Sequence, residues 1–272
     1  MTNSGKKIWL IGNDTVISQQ TLSNLTKLLE KENFIFDDLE PELVISVGGD
    51  GTFLRAFHMY EHLIGKARFV GVHTGHLGFY TDFAADDLTH VVETLKNENP
   101  VEAIRYPLLS ISVKFDNGFV KTYQAVNEMT LRRTYKTLVT DIKISDFLLE
   151  KFRGDGISIS TPTGSTAYNK SIGGAVMDPK IPAMQLSEIA SLNNIVFRTL
   201  GAPLIVSKED SITLCPDFAE DYVLTVDHQS LEIKNIQEIQ CQIDTQEIAF
   251  VGSVHQHFWP RVRASFIGED QD

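Results

Sequence analysis

One acidic side chain in this sequence stands where chemistry has room to happen. Gly48-Gly49-Asp50-Gly51-Thr52 follows the β-branched run Leu43–Val47 and precedes Phe53, Phe57, Tyr60 and Ile64 at helical spacing. At the carboxyl end of a parallel strand, glycines permit positive φ and close backbone approach to a ligand. The N–H groups opening the next helix can meet a phosphate. Asp50 sits among glycines, so nothing bulky shields its carboxylate. A helix cap on a tight turn would need fewer glycines. The dehydrogenase fingerprint G-x-G-x-x-G fits poorly, because Gly49 and Gly51 are followed by Leu54.

A second loop, Thr161-Pro162-Thr163-Gly164-Ser165-Thr166-Ala167-Tyr168-Asn169-Lys170-Ser171, follows another strand-like run. Its five Ser and Thr hydroxyls form a candidate hydrogen-bonding cradle. Gly164 and Lys170-Ser171 have P-loop spacing, but Asn169 stands where the second glycine belongs, and a cradle of backbone N–H groups depends on that glycine. Just upstream, Phe152-Arg153-Gly154-Asp155-Gly156 offers a further glycine-flanked carboxylate. Asn127-Glu128, an amide beside a carboxylate at a strand end, suits an adenine edge and ribose hydroxyls, or is simply a turn. His58-Met59-Tyr60-Glu61-His62 matches the zinc-hydrolase pattern H-x-x-E-H. It fixes only three positions, and no third ligand is identifiable, with His73 and His76 as candidates.

The chain has 272 residues and a net charge of −12, with 42% hydrophobic and 22% charged residues. This is a globular composition rather than a disordered one. Its pI near 5.1 argues against nucleic acid or an anionic membrane as partner, since both demand a basic face. Two cysteines, Cys215 and Cys241, read as reduced thiols of a cytoplasmic protein. The apolar run Ile8-Trp9-Leu10-Ile11 is too short for a signal-peptide core, and no stretch approaches a membrane span.

These loops need a scaffold. Lys7–Ile11, Leu43–Val47 and Phe69–Val72 read as strands, alternating with helical patterns at Leu22, Leu25, Leu29 and at Leu88, Val91, Val92, Leu95. That order predicts an N-terminal Rossmann-like α/β domain over residues 1–102. From Pro107 the texture turns to period-two alternation, with a hairpin signal at Asn117-Gly118. Strand-like runs follow at 140–144, 156–161, 204–206, 211–214, 222–226, 237–243 and 248–251, with Met184–Leu192 reading as the one helix among them. A β-rich, sandwich-like domain over 103–254 is expected. The tail, 255–272, carries Trp259, Val262 and Phe266 as a short amphipathic element that would pack back on the first domain.

Taken together, Gly49-Asp50-Gly51-Thr52, Asn127-Glu128, Gly154-Asp155-Gly156 and Thr161 to Tyr168, in this order and spacing, resemble the NAD kinase family. The resemblance extends from about Leu43 to Phe266 and includes Gly71 to Phe79, Ala190-Ser191-Leu192-Asn193 and Phe258-Trp259. It is greatest to the compact members from low-GC Gram-positive bacteria. The Asp50 turn alone is shared with phosphofructokinases and lipid kinases, whereas Thr161–Tyr168 is far more specific.

The resemblance implies an α/β domain followed by a β-rich one, and transfer of the γ-phosphoryl of ATP to the 2′-hydroxyl of the adenosine ribose of NAD. It implies a divalent ion such as Mg²⁺, and some bacterial members use inorganic polyphosphate as donor. It assigns Asp50 as the acid/base residue, Asn127 and Glu128 to adenosine, and Thr166 and Tyr168 to adenine. Asp155, Ala167 and Ser171 go to the nicotinamide half, with Arg153 and Ala190 as further NAD contacts. Gly49, Gly51, Thr163, Asn169, Lys170 and His228 complete the candidate binding set, with no protein metal ligand assigned. A homotetramer with β domains at its interfaces is also implied. One departure stands out: Asp227-His228-Gln229 replaces the family's Asp-Gly-Gln, so His228 is either a strand-end histidine or a substrate contact. Two alternatives remain beside the zinc reading: a lipid or sugar kinase sharing the Asp50 turn, and a non-catalytic NAD-binding regulator.

Overall fold

The fold is that of a computed structural model, which describes residues 5–217, 221–252, 255 and 257–268. The chain divides into two units, Met1–Arg105 with Glu247–Asp272, and Tyr106–Gln246. Unit 2 therefore begins at Tyr106 rather than at 103, and unit 1 resumes at Glu247. The second boundary expected from sequence, 254/255, abuts residues 253 and 254, which lie outside the described residues.

Unit 1 carries β1 (Lys7–Gly12), α1 (Val16–Lys31), β2 (Ile35–Phe36), β3 (Leu43–Val47), α2 (Asp50–Met59), β4 (Arg68–His73), β5 (Phe83–Ala84) and α3 (Leu88–Asn97). The strands run parallel in the order β2-β1-β3-β4-β5. All five residues of β3 are buried, which is why it reads as an unbroken apolar run. Helix α1 starts where the Thr15 hydroxyl accepts the Ser18 N–H, and buries Leu25 and Leu29. It stops at Asn33, whose φ of +61° is left-handed. The α3 spacing likewise buries Val91, Val92 and Leu95. These side chains share one core with Ile8, Ile45 and Val70 of the sheet.

Unit 2 is a sandwich. In chain order its strands are β6 (Ile104–Phe115), β7 (Val120–Ala125), β8 (Glu128–Arg132), β9 (Leu138–Ile144), β10 (Phe147–Gly154), β11 (Gly156–Ser160), β12 (Ala183–Ile189), β13 (Leu204–Ser207), β14 (Ile212–Pro216), β15 (Tyr222–Val226), β16 (Gln229–Ile233) and β17 (Ile236–Phe250). One sheet has the order β10-β9-β14-β17-β6-β7, the other β13-β12-β11-β8-β15-β16. Inward residues of both, such as Ile111, Ile142 and Ile239 from one and Met129, Ile159 and Leu186 from the other, fill a single buried cluster. The Asn117-Gly118 signal is a hairpin, with Lys114 opposite Val120 and Gly118 at φ +82°.

Two readings of this region need correction. Met184–Leu192 is not a helix; Ala183–Ile189 is strand β12, inside its sheet between β11 and β13. Met, Gln, Leu and Glu favour helices, but sheet pairing on both sides overrides that preference. Its alternation covers only Met184 to Ser187 and breaks at Glu188-Ile189. Met184 and Leu186 enter the core, while Gln185 and Ser187 bond to Ala175 and Asn169. The runs at 237–243 and 248–251 are one 15-residue strand, β17, whose residues from Glu247 on belong to unit 1, where Phe250 pairs with Phe69.

A one-turn helix, α4 (Tyr168–Ser171), sits in the second loop, and α5 (Phe258–Phe266) closes unit 1. Helix α5 does form and meets the rest of unit 1 through the Phe258 and Phe266 rings, 6.1 and 5.7 Å from that of Phe79, but its apolar residues stay partly open. Trp259 and Phe266 are 54% and 39% exposed, and the buried residue is Arg261. No helix among the described residues is long and apolar enough to cross a membrane.

Candidate active site

The Asp50 turn lies where β3 ends and α2 begins. Gly48 has φ +154°, and a side chain there would collide with Thr52. Gly49 and Gly51 differ: a Cβ on either would meet nothing within 4 Å, so open space adjoins both. Asp50 is less bare than its glycine neighbours suggested. Its Oδ2 accepts the Phe79 N–H and its Oδ1 the Tyr80 N–H, each at 2.9 Å. Gly78 packs so close to this carboxylate that any side chain there would strike it. Two backbone N–H groups thus fix both oxygens while each keeps further lone-pair capacity. Tyr80 is itself anchored by stacking on Phe53, ring centroids 4.7 Å apart.

The second loop is built differently, and its hydroxyls are not the open cradle the sequence suggested. Thr161 and Thr163 both donate to the Val126 carbonyl, at 2.5 and 3.0 Å. Ser165 accepts the Met177 N–H at 2.8 Å, Thr166 donates to the Thr163 carbonyl, and Ser171 to the Tyr168 carbonyl. Donor hydrogens of such a loop brace the loop. Gly164 lies against the Asn127 backbone, where a Cβ would overlap main-chain atoms. It therefore serves packing and not phosphate approach, so the P-loop spacing is coincidental. Asn169 is fully buried, with its amide oxygen accepting from Ser187 at 2.7 Å, beneath the loop rather than on its surface. Tyr168 is half-buried with the Arg132 guanidinium 5.8 Å from its ring, Ala167 is half-buried, and Lys170 and Ser171 are exposed.

Asn127 and Glu128 stand beside this loop because Asp227 holds their backbone. The Asp227 carboxylate accepts the N–H groups of Val126, Asn127 and Glu128 at 3.0, 2.7 and 3.3 Å. Asp227 occupies a two-residue turn between β15 and β16 at φ +52°, with exposed His228 following it. Burial first, and the Asp227 charge second, push the Glu128 carboxyl up to about 8, against the Tyr168 N–H that favours ionisation. Glu128 Oε2 is buried without a hydrogen-bond partner, as are the hydroxyls of Ser158 and Ser160. Ser160 pairs in register with Glu128 across β8 and β11, so an unsatisfied polar row runs under the loop.

Arg153, Asp155 and Ala190 form a second grouping in unit 2. The Asp155 N–H donates to the Ile189 carbonyl at 2.9 Å, and the Leu192 N–H to the Arg153 carbonyl at 2.8 Å. Asp155 and Ala190 are exposed, Ala190 at a left-handed φ of +46°, and Arg153 lies over the Phe197 ring at 4.5 Å. The zinc pattern is not assembled: α2 ends at Met59 and a short 3-10 turn begins at Glu61, so His58 and His62 do not share one regular helix. Among the described residues no three His, Cys, Asp or Glu side chains come together to hold a metal.

Sequence reasoning missed the supports of these groups. The role of Asp227 had one available signal, an Asp in a two-residue hairpin turn. The donors from Phe79 and Tyr80 are backbone groups and leave no mark in residue type.

Residues 14–99 match the ATP-NAD kinase N-terminal domain and residues 126–251 the ATP-NAD kinase C-terminal domain. The chain is 58% identical over 267 residues to the NAD kinase of Lactococcus lactis subsp. cremoris strain MG1363, spanning 98% of this chain and 99% of that protein. It is 48% identical over 270 residues to the NAD kinase of Streptococcus pneumoniae strain 70585, spanning 99% of both. Among solved structures, yeast NADH kinase complexed with NADH superposes with a TM-score of 0.83 at 19% identity, over 99% of this chain and 89% of that one. An Archaeoglobus fulgidus NAD kinase in complex with ATP gives 0.76 at 19% identity, over 97% of this chain and 100% of that one. The structural likenesses establish the fold, an α/β domain with a β-rich one. With relatives this similar across nearly every residue, the chain belongs to the NAD kinase family.

Proposed function

We infer that this protein transfers the γ-phosphoryl of ATP to the 2′-hydroxyl of the adenosine ribose of NAD, giving NADP and ADP. The observation that carries this reading is 58% identity to a NAD kinase over 98% of the chain. The geometry of the Asp50 turn supports it. The ribose oxygen attacks the γ-phosphorus, the bond to the β-phosphate oxygen breaks, and the hydroxyl proton passes to Asp50. A carboxylate is a weak base, but in a loose phosphoryl-transfer transition state the proton can leave late. A base fixed by two N–H groups needs no reorientation at that moment. The bare flank of Gly49 and Gly51 lets phosphates approach the backbone closely.

In unit 2 the Asp227 brace presents Asn127 and Glu128 to adenosine, with Tyr168 as an aromatic face for adenine. Thr163 and Thr166 shape that loop, and Asn169 holds it from below. Arg153, Asp155, Ala167, Lys170, Ser171 and Ala190 serve the remainder of NAD, with His228 at the margin. The described residues supply no metal cage, so a divalent ion such as Mg²⁺ would come with the phosphates of ATP. The test is NADP formation from NAD and Mg-ATP, read by an NADP-specific dehydrogenase, with polyphosphate as second donor. Diacylglycerol and fructose 6-phosphate serve as competing acceptors. Tight NAD binding with no NADP formed would favour the non-catalytic reading.

A homotetramer is part of the same proposal. Phe147 and Leu148 are 70% and 53% exposed on β10, and Ile195 and Val196 are 93% and 78% exposed on the segment bonded to β10 through Arg153 and Glu150. Apolar exposure on this scale marks an association surface. Light scattering giving a stable, fully active monomer would overturn it. We place the enzyme in the cytoplasm, where its two unpaired cysteines stay reduced.

A further inference from the structure

A buried ion cluster in unit 1 touches the same backbone that holds Asp50. Arg261 is 5% exposed, the one buried side chain of a helix whose Phe258 and Phe266 rings lie against Phe79. Arginine goes inside almost only when paired. Its guanidinium donates to Asp82 Oδ1 at 2.6 Å and to the Phe79 carbonyl at 2.5 Å. Asp82 is fully closed to solvent and also bonds His255 Nδ1 at 2.8 Å. Burial alone would raise the Asp82 carboxyl, yet His255 and Arg261 hold it below its ordinary value. The His255 ring in turn stacks on Phe250 at 3.9 Å.

The Phe79 carbonyl and the Tyr80 N–H are the two ends of one peptide group. A guanidinium donates to its oxygen, and its N–H donates to Asp50 Oδ1 at 2.9 Å. Hydrogen bonds in series through an amide polarise one another, so a cation on the oxygen strengthens the N–H as donor. The segment has little freedom to shift. The backbone of Tyr80 and Thr81 lies directly on Gly71, the Asp82 N–H donates to the Gly71 carbonyl at 2.8 Å, and the Gly78 N–H to the Thr81 hydroxyl at 2.9 Å.

We propose that Arg261 is a positioning residue for phosphoryl transfer: it grips the Phe79–Tyr80 peptide by its carbonyl and so orients and strengthens the N–H that fixes the Asp50 carboxylate, with Asp82 and His255 holding the guanidinium in place. This rests on Asp50 being the proton acceptor.

Steady-state kinetics on the full-length enzyme test it, with Arg261→Ala, Arg261→Lys, Asp50→Asn and the buried α3 variant Val92→Ala as a stability control. Loss of one bond from a charged donor, the guanidinium on the Phe79 carbonyl, predicts that Arg261→Ala lowers kcat by about ten- to a hundred-fold. The KM for NAD should move by less than about threefold, because the interaction acts in the transition state. Arg261→Lys should fall between, since an ammonium cannot span both acceptors as a guanidinium does. Added guanidinium should restore part of the turnover of Arg261→Ala. The proposal is overturned if folded Arg261→Lys keeps kcat within about twofold of the parent. It is also overturned if Val92→Ala loses as much kcat at an equal loss of melting temperature, or if guanidinium gives no rescue. Should Arg261→Ala not fold, the lysine variant decides alone. If Asp50→Asn keeps its turnover, the reading of Asp50 is what fails. If Asp50→Asn is inactive and the Arg261 variants are not, only the role of Arg261 is lost.

Discussion

The Asp50 turn and the 161–171 loop both looked like ligand cradles, and they are opposite constructions. In the first, glycines open the space around one side chain, and the support comes from backbone N–H groups of a distant segment. In the second, the polar side chains tie the loop to itself and to the Val126 carbonyl, and the glycine at 164 closes space. A turn of the first kind suits a group that must act on a ligand arriving beside it. A loop of the second kind suits a rigid surface whose shape must not change. Glycine and threonine therefore do not report function by type; what surrounds their Cβ and hydroxyl does.

The sharpest way to break this comparison is Asp50→Asn, which keeps the shape of the turn and removes the proton acceptor. Turnover should fall by at least about 10²-fold, the lower bound for a positioned base. NAD affinity measured by calorimetry should hardly change. Lost NAD binding with a surviving saturated rate would refute the assignment.

Tyr168→Ala should behave in the reverse sense. Removing an aromatic face from a base is worth about 1–3 kcal/mol, or roughly 5- to 150-fold in affinity. Calorimetry should show that loss for NAD, while kcat at saturation changes less. Normal NAD binding by the variant would remove adenine stacking from the account.

A paired glycine experiment sharpens the contrast. Gly164→Ala forces a Cβ into the Asn127 main chain, and overpacking of this kind costs about 1–3 kcal/mol of stability. Gly49→Ala, at φ −94° with open space beside it, should leave the melting temperature unchanged and reduce turnover by crowding the approaching ligand. Equal melting shifts in the two variants would show that the turns are not built oppositely.

Glu128 gives a pH-dependent test. Burial, with the Asp227 charge beside it, pushes its folded carboxyl up from the ordinary 4.5 to about 8. A raised folded value means that the protonated form stabilises the fold, fully so below the ordinary value. That stability is lost as pH rises toward and through about 8. Glu128→Gln, neutral at every pH, should therefore melt higher than the parent above pH 8 and about the same near pH 4.5. Melting curves across that range check the sign; a gap that grows toward acid would contradict it.

The smallest effect is expected at His62, exposed at the end of the H-x-x-E-H pattern. His62→Ala should change stability by no more than about 0.5 kcal/mol by urea titration and leave turnover intact. Chelator-sensitive activity lost together with His62 would restore the zinc reading.

Much was legible from sequence because its signals are local. Leu25 and Leu29 repeat at helical spacing, the run Leu43–Val47 is apolar because a central parallel strand is buried on both faces, and Asn117-Gly118 specifies a hairpin. The order of the Asp50 turn, Asn127-Glu128 and the 161–168 stretch was enough to suggest the family. Local signals failed at β12, where helix-favouring residue types masked a short alternation that breaks at Glu188-Ile189, and at α5, where the most buried residue is an arginine beside the Phe258 and Phe266 contacts to Phe79.

What the sequence by itself determined is therefore the set of elements, the family, and which side chains could act. What only the tertiary structure decided is what holds them. Asp227 reaches back 100 residues to the N–H of Asn127, and Phe79 and Tyr80 grip Asp50 from 29 and 30 residues away. Arg261 joins that grip across 182 residues. These are contacts of backbone N–H and carbonyl groups, which every residue carries alike, so residue type leaves no record of them. Only the path of the folded chain brings them to the carboxylates they fix.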